Sequence, residues 1–383
     1  MDWRVPLADV CLGTEEEKAV LEVLRSGWLT MGAVTQNFEQ EFAAFTGSKY
    51  AFAVNNATAA LHLACLAVGL GPGDEVIVPS LTFVATANAA RYTGARVVFA
   101  DIESEDWLCI CPRTIEEKLT QRTKAIIVMH YAGFPCDMPT ILRIAKEHGL
   151  AVIEDAAHAV GASLDGKALG CWGEAGCYSF FGNKNMTTAE GGILVTNNGP
   201  LAEKVKILRS HGMTTLTWDR HQGHASSYDV VALGYNYRLD EIRSAIGREQ
   251  LKKLPAGNAR RRQLVQNYRQ ELGHHCPQLG LPFAEPRGIS SQHIFPVLLP
   301  EGLDRKTFRE SLKQDGVQTS FHYPPVHQFE IYRDPIRNGG GSLGVTENVA
   351  KRQVTLPLFP SMTETQQALV IESVRKALRR LAA

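Results

Sequence analysis

Residues 138–158 read Met-Pro-Thr-Ile-Leu-Arg-Ile-Ala-Lys-Glu-His-Gly-Leu-Ala-Val-Ile-Glu-Asp-Ala-Ala-His. The first half is a helical pattern, Met138 to His148, and the second a β-branched strand, Ala151 to Asp155. With the strand pattern Lys124 to His130 before it, the stretch forms one βαβ unit, the building block of a parallel sheet. The same alternation extends outward. Strands are predicted at Ala51–Asn55, Glu75–Pro79, Arg96–Ala100 and Gly191–Thr196, with helices at Thr58–Gly69, about Thr82–Tyr92 and Leu201–Ser210. In the first of these helices Leu61, Cys65 and Val68 recur at helical spacing. The connections are short, as compact α/β units require. Beyond a polar loop at 211–228, a long helical pattern runs from Glu241 to about Leu272 with an interruption at Pro255. The rest mixes a strand at Ile294–Leu299, helices at Lys306–Asp315 and Glu364–Leu381, and a Pro/His/Tyr loop at 322–327. These patterns predict a large α/β domain, residues 1–252, with a mainly parallel sheet flanked by helices, and a smaller α+β domain, residues 253–383.

A chain of 383 residues exceeds what one hydrophobic core organises, which agrees with two domains sharing a cleft. Hydrophobic residues at 44% and charged residues at 21% are ordinary globular values and argue against a largely disordered chain. Forty basic residues balance forty acidic ones, so no global field exists to hold nucleic acid or an anionic membrane. An anionic ligand must be met locally. No apolar run approaches a bilayer span, and the first ten residues carry an early acid and no apolar signal core; the expected location is the cytoplasm. Eight scattered cysteines form neither a paired zinc spacing nor a disulfide framework, and His274-His275-Cys276 reads as a surface loop; no metal site is expected.

In an open α/β sheet ligands lie off the carboxyl ends of the strands, and four such ends carry useful chemistry. Asn56-Ala57-Thr58-Ala59 combines small residues, a hydroxyl and a helix N-terminus, which suits a phosphate, although Thr58 as a plain N-cap is the commoner case. Pro79-Ser80-Leu81-Thr82-Phe83 sets an aromatic ring beside hydroxyls. The strand ending in Glu154 and Asp155 brings a buried carboxylate that needs a partner, with His158 three residues on. Between Tyr178 and Gly192, Lys184 sits in a short turn of small residues, where partial burial would lower its pKa and make it nucleophilic. An amine nucleophile, a buried acid, an aromatic plate and a phosphate cup together are what pyridoxal phosphate requires.

On these residues the chain resembles the DegT/DnrJ/EryC1/StrS sugar aminotransferases, which have the aspartate aminotransferase-like fold (fold type I). The resemblance runs almost end to end, through Ser26 to Gly32, Gly73 to Pro79, Glu154 to His158, Lys184 to Gly192, Gly234 to Arg238 and Leu356 to Pro360. Val128 to Gly133, with the Asp-Ala-Ala-His and Ala-Glu-Gly-Gly segments, is most similar to the branch that aminates nucleotide-linked 4-keto sugars, including the UDP-4-amino-4-deoxyarabinose enzymes. Asn56-Ala57-Thr58 stands where many members carry Ser-Gly-Thr, and the stretch His322 to His327 is closer to the general family than to that branch.

The resemblance implies that Lys184 holds the cofactor and shuttles a proton, that Asp155 pairs with the pyridine nitrogen, and that Phe83 stacks on one ring face with His158 at the other or at the phenolic oxygen. It implies that Thr58, Ala59 and Ser179 receive the phosphate, with Asn236 supplied by a neighbouring subunit of a homodimer. Trp28, Thr30, His322 and Tyr323 match regions that line the sugar-nucleotide pocket, and the amino donor implied is glutamate. Arg220, His221 and His224 in the polar loop could also meet phosphates or hydroxyls. Three rival readings stay open: amination at C-3 instead of C-4, a dehydratase of the same fold, against which Lys184 argues because that enzyme carries histidine there, and a non-catalytic regulatory protein that keeps the cofactor.

Overall fold

The computed structural model describes residues 3–215, 223, 227–285, 287–333 and 343–382. Two helices, α1 (Thr14–Ser26) and α2 (Ala33–Thr46), precede β1 (Tyr50–Val54), and the chain then alternates through α3 (Ala57–Ala67), β2 (Glu75–Pro79), α4 (Ala85–Tyr92) and β3 (Arg96–Ala100). It continues through α5 (Pro112–Glu117), β4 (Thr123–Met129), α6 (Met138–His148) and β5 (Ala151–Asp155). A two-stranded hairpin, β6 (Ser163–Leu164) and β7 (Lys167–Ala168), leads to β8 (Ala175–Ser179), β9 (Gly192–Thr196) and α7 (Gly199–Leu208).

The seven-stranded sheet has the order β1-β9-β8-β5-β4-β2-β3. Pairs β2–β3, β2–β4, β4–β5 and β5–β8 are parallel, whereas β9 is antiparallel to both β8 and β1. Six strands therefore run one way and β9 alone runs back. The consequence is positional: the carboxyl ends of β1, β2, β4, β5 and β8 meet at one edge, together with the start of β9. Strand periodicity sorts the side chains. Ala51, Ala53, Val152 and Tyr178 join the core on one face, with α2 and α6, while Phe52, Val54, Ile153 and Cys177 join the core on the other, with α3 and α4.

A single helix, α8 (Glu241–His275), runs through the 252/253 boundary. Leu251 and Leu254 belong to the core of the large sheet, whereas Leu264, Val265, Tyr268 and Leu272 belong to a third core built with β10 (Phe295–Leu298), α9 (Arg305–Gln314), β11 (Gln353–Leu356) and the C-terminal α11 (Glu364–Ala382). Between α9 and β11, α10 (Gly344–Arg352) packs back on the large sheet through Val349. The expected interruption at Pro255 is absent: proline removes one helical hydrogen bond and crowds the carbonyl four residues back, but buried residues on both sides hold the helix continuous. His274 and His275 close this helix and Cys276 is buried behind it, so the expected surface loop begins later. The N-terminus crosses the expected division as well, since Val5 bridges Val317 and lies in the third core.

At the end of β5 the two acids face opposite ways. Glu154 is fully buried on the α2 side, where one oxygen accepts the N–H groups of Trp172 (2.6 Å) and Gly173 (2.7 Å) and the other accepts Gly170 N–H (2.7 Å) and His130 Nε2 (2.9 Å). It ties the loop after β7 to the sheet. Glu154→Gln would set an amide NH2 against donors, and the expected loss is about 3–5 kcal/mol, read from the denaturant midpoint. A change below about 0.5 kcal/mol would mean that the carboxylate is not what holds the loop.

Candidate active site

A cleft of about 710 Å³ opens at the shared strand edge. It brings together Thr58, Ala59, Phe83, Asp155, His158, Ser179, Lys184, His322 and Tyr323. Local structure explains each placement. Asn56 caps α3 by accepting the Ala59 N–H at 2.8 Å, so that amide is already engaged, and Thr58 presents its hydroxyl at the positive end of the helix. Gly192, the first residue of β9, runs directly beneath this cap. A Cβ there would stand 2.6 Å from Ala57 N, so only glycine lets the β9 backbone pass so close.

Ser179 ends β8, and the chain then turns back through Phe180, whose N–H donates to Gly191 O at 2.9 Å. The turn is closed by Lys184 N–H to Phe181 O and Thr188 N–H to Phe180 O, both 2.9 Å, and Lys184 projects into the cleft. Although its side chain retains some exposure to the cleft, protein surrounds the amine and desolvation lowers its pKa to about 8, against a smaller opposing pull from Asp155.

Asp155 is buried. Its Oδ2 accepts from Thr86 Oγ1 at 2.7 Å and its Oδ1 from Ala157 N–H at 3.1 Å, and these bonds only partly offset the burial that raises its pKa. Among the described residues no cation lies within ion-pair distance of it. A protonated pyridine nitrogen is the kind of partner this donor set lacks, and Phe83, 54% exposed and 5.8 Å from the Tyr323 ring, offers a free aromatic face. Amine, carboxylate, ring and helix terminus thus fit pyridoxal phosphate.

His158 lies 2% exposed. Its Nδ1 accepts the Ala132 N–H at 3.3 Å, which leaves the proton on Nε2, 2.9 Å from Tyr323 Oη. His322 is fixed by Thr355 Oγ1 at Nδ1 (2.7 Å) and by Gln353 at its backbone N–H (2.8 Å). Burial first, and then the Lys184 charge, hold His158 well below the ordinary imidazole range and lower His322 to about 4, so both rings are neutral at physiological pH.

Three expected residues lie elsewhere. Trp28 and Thr30 do not line the cleft of this chain: Glu241, at the start of α8, collects the N–H groups of Gly32, Val34 and Thr35 at 2.8–2.9 Å and draws this segment onto that helix. Asn236 is held beside Ser210 by backbone pairing, while its neighbour Tyr237 faces the cleft and bonds His62 Nδ1 at 3.1 Å. Arg220, His221 and His224 lie outside the described residues. Sequence reasoning missed Thr86, the direct partner of Asp155. Its signal was its spacing, four residues after Thr82; Thr82 precedes α4 and Thr86 lies in its first turn, and the two hydroxyls are 2.7 Å apart.

The model of the DegT/DnrJ/EryC1/StrS aminotransferase family matches residues 10–375. The spore coat polysaccharide biosynthesis protein SpsC of Bacillus subtilis is 40% identical over 380 residues, 98% of this chain and 97% of SpsC. Among solved structures, Helicobacter pylori PseC, an aminotransferase involved in the biosynthesis of pseudoaminic acid, superposes with a TM-score of 0.90 at 31% identity, covering 98% of this chain and 99% of PseC. The PMP-form of Spr1654 from Streptococcus pneumoniae, assigned as a sugar aminotransferase, gives a TM-score of 0.90 at 26% identity, covering 99% of this chain and all of that one.

A lysine amine that loses its proton near pH 8 should capture pyridoxal phosphate at a rate that rises with pH and levels off above about 8. Stopped-flow absorbance of the apoprotein mixed with cofactor reads this profile. A rate still climbing through pH 10 would show an ordinary, solvated lysine.

Proposed function

The chain belongs to the DegT/DnrJ/EryC1/StrS aminotransferase family and is a pyridoxal-phosphate-dependent sugar aminotransferase, and on that premise we propose that it moves an amino group from glutamate to the C-4 keto carbon of a nucleotide-activated sugar. The observation that carries this reading is the buried pair of Lys184, its amine brought to about 8, and Asp155, a carboxylate with no cationic partner among the described residues, in one cleft. The motifs around Val128 to Gly133, Asp155 to His158 and Ala189 to Gly192, which resemble the 4-keto branch, support the choice of carbon.

When bound, pyridoxal phosphate supplies an electron-withdrawing ring that accepts the negative charge developing on the reacting carbon. Lys184 would hold the cofactor and then move a proton to and from that carbon through Nζ, since an amine with a pKa of about 8 gives and takes a proton readily near neutral pH. Asp155 would pair with the pyridine nitrogen, whose positive charge would favour the anion that burial opposes, with Thr86 orienting its carboxylate. Phe83 covers one ring face, and the Nε2–H of His158 reaches the ligand side through Tyr323. Thr58 and Ser179 would receive the phosphate, and the Ala59 N–H would join them by exchanging its bond to Asn56 Oδ1. His322 and Tyr323 meet the sugar. Asn236, turned away from its own cleft, completes the phosphate site of a second copy in a homodimer, and Trp28 and Thr30 serve the sugar-nucleotide pocket from the same interface.

Holoenzyme incubated with L-glutamate and UDP-, dTDP- or GDP-linked 4-keto sugars should give a product whose NMR spectrum places a new amine at C-4, with one 2-oxoglutarate released per product. Amination at C-3, or no product from any nucleotide-linked keto sugar, would contradict the assignment. Sharing of sites has its own check. Co-expressed Lys184→Ala and Asn236→Ala chains, each defective alone, should regain about a quarter of wild-type activity, because each hybrid dimer then carries one intact site. No recovery would place Asn236 outside the partner's site.

A further inference from the structure

Asn185 follows Lys184 directly and makes the most extensive side-chain anchorage in the turn. Its Nδ2 donates to Asn258 Oδ1 on α8 and to Ser291 O, both at 2.8 Å. Because the Ser291 carbonyl can only accept, the orientation of the amide follows, and Asn185 Oδ1 must accept from His293 Nδ1 at 2.9 Å. The amide is therefore held from three sides by two separate segments of chain. Asn258 in turn donates to Val160 O at 2.9 Å, just past His158. The His293 ring, 5% exposed, lies 4.2 Å from the ring of His158. One chain of hydrogen bonds and a tilted ring contact thus runs from the Lys184 turn through Asn185, His293 and His158 to Tyr323.

We infer that Asn185, braced by His293, is a positioning residue that keeps the Lys184 amine in its desolvated place in the cleft and sets it in register with His158. Residues 186–188 are already anchored, by burial of Met186 and by Thr187 to the Phe180 carbonyl (3.2 Å), so the fold of the turn does not depend on Asn185. What the amide adds is a fixed lateral position for the residue next to the nucleophile. Without it the lysine can swing toward water, where its amine takes up a proton. The groups that face Lys184 are Asp155 from β5, His158 after it, His293, and His322 and Tyr323 from the small-domain loop. The three imidazoles are neutral, so Asp155 is the charge that any displacement of the amine changes most.

The inference rests on Lys184 being the residue that captures the cofactor, which the wild-type pH profile tests by itself. Apoprotein carrying Asn185→Ala, confirmed folded by circular dichroism, should capture pyridoxal phosphate about tenfold more slowly at pH 7.5, with the midpoint of its profile moved up by about one unit. His293→Phe keeps the ring against His158 but loses the N–H, and should show a smaller shift in the same direction; His293→Asn, which can still donate, should retain the wild-type midpoint. If Asn185→Ala does not fold, His293→Phe against His293→Asn carries the test. Wild-type rate and midpoint in a folded Asn185→Ala protein, or equal midpoints for the two His293 variants, would overturn the inference.

Discussion

Everything in this molecule converges on placing one amine and one carboxylate in a partly dry cleft without letting them neutralise each other. Burial pushes both groups toward their uncharged forms, and their mutual attraction pulls both back toward charge. The outcome is set by geometry. Asp155 is given two hydrogen bonds, which favour its anion, whereas among the described residues Lys184 has none that would favour its cation, so the amine is the group left reactive. A close salt bridge between them would hold the amine as a cation, which cannot attack an aldehyde.

The sheet makes that geometry possible. Parallel strands deliver their carboxyl ends to one edge, and the single reversed strand, β9, brings the chain back under the α3 cap so that the lysine turn and the helix terminus become neighbours. Strand alternation then divides labour between adjacent acids. Glu154 is used up by four donors, three loop N–H groups and His130, and Asp155, one residue on, is kept for the cleft. The His322-Tyr323 segment contributes from the other side, where Tyr323 closes onto His158 and the His322 ring is held by β11.

Much of this was legible in the sequence, and the reason is period. Glu75–Pro79, Arg96–Ala100 and Ala151–Asp155 are bounded by turn residues and carry β-branched cores, so their limits were readable to the residue, as were those of the helix Met138–His148. The chemistry at the strand ends could be read for the same reason. What escaped depends on long-range contacts that no local pattern encodes. The tie of Gly32 and Val34 to α8 follows from Glu241, more than 200 residues away in sequence; the continuity of α8 through Pro255 follows from two cores gripping one helix; and the bracing of Lys184 follows from His293, 109 residues further on. The family resemblance supplied roles for Trp28 and Asn236 that a single chain has no means of displaying.

The most direct measurement is the visible spectrum of the purified protein, loaded with pyridoxal phosphate, before and after an excess of L-glutamate. Loss of the cofactor's visible band, with 2-oxoglutarate formed in equal amount, is the result expected of a site in which Lys184 and Asp155 work as described. A band that persists while glutamate and other amino donors are present in excess would contradict amino transfer, and would leave a protein that binds its cofactor without using it.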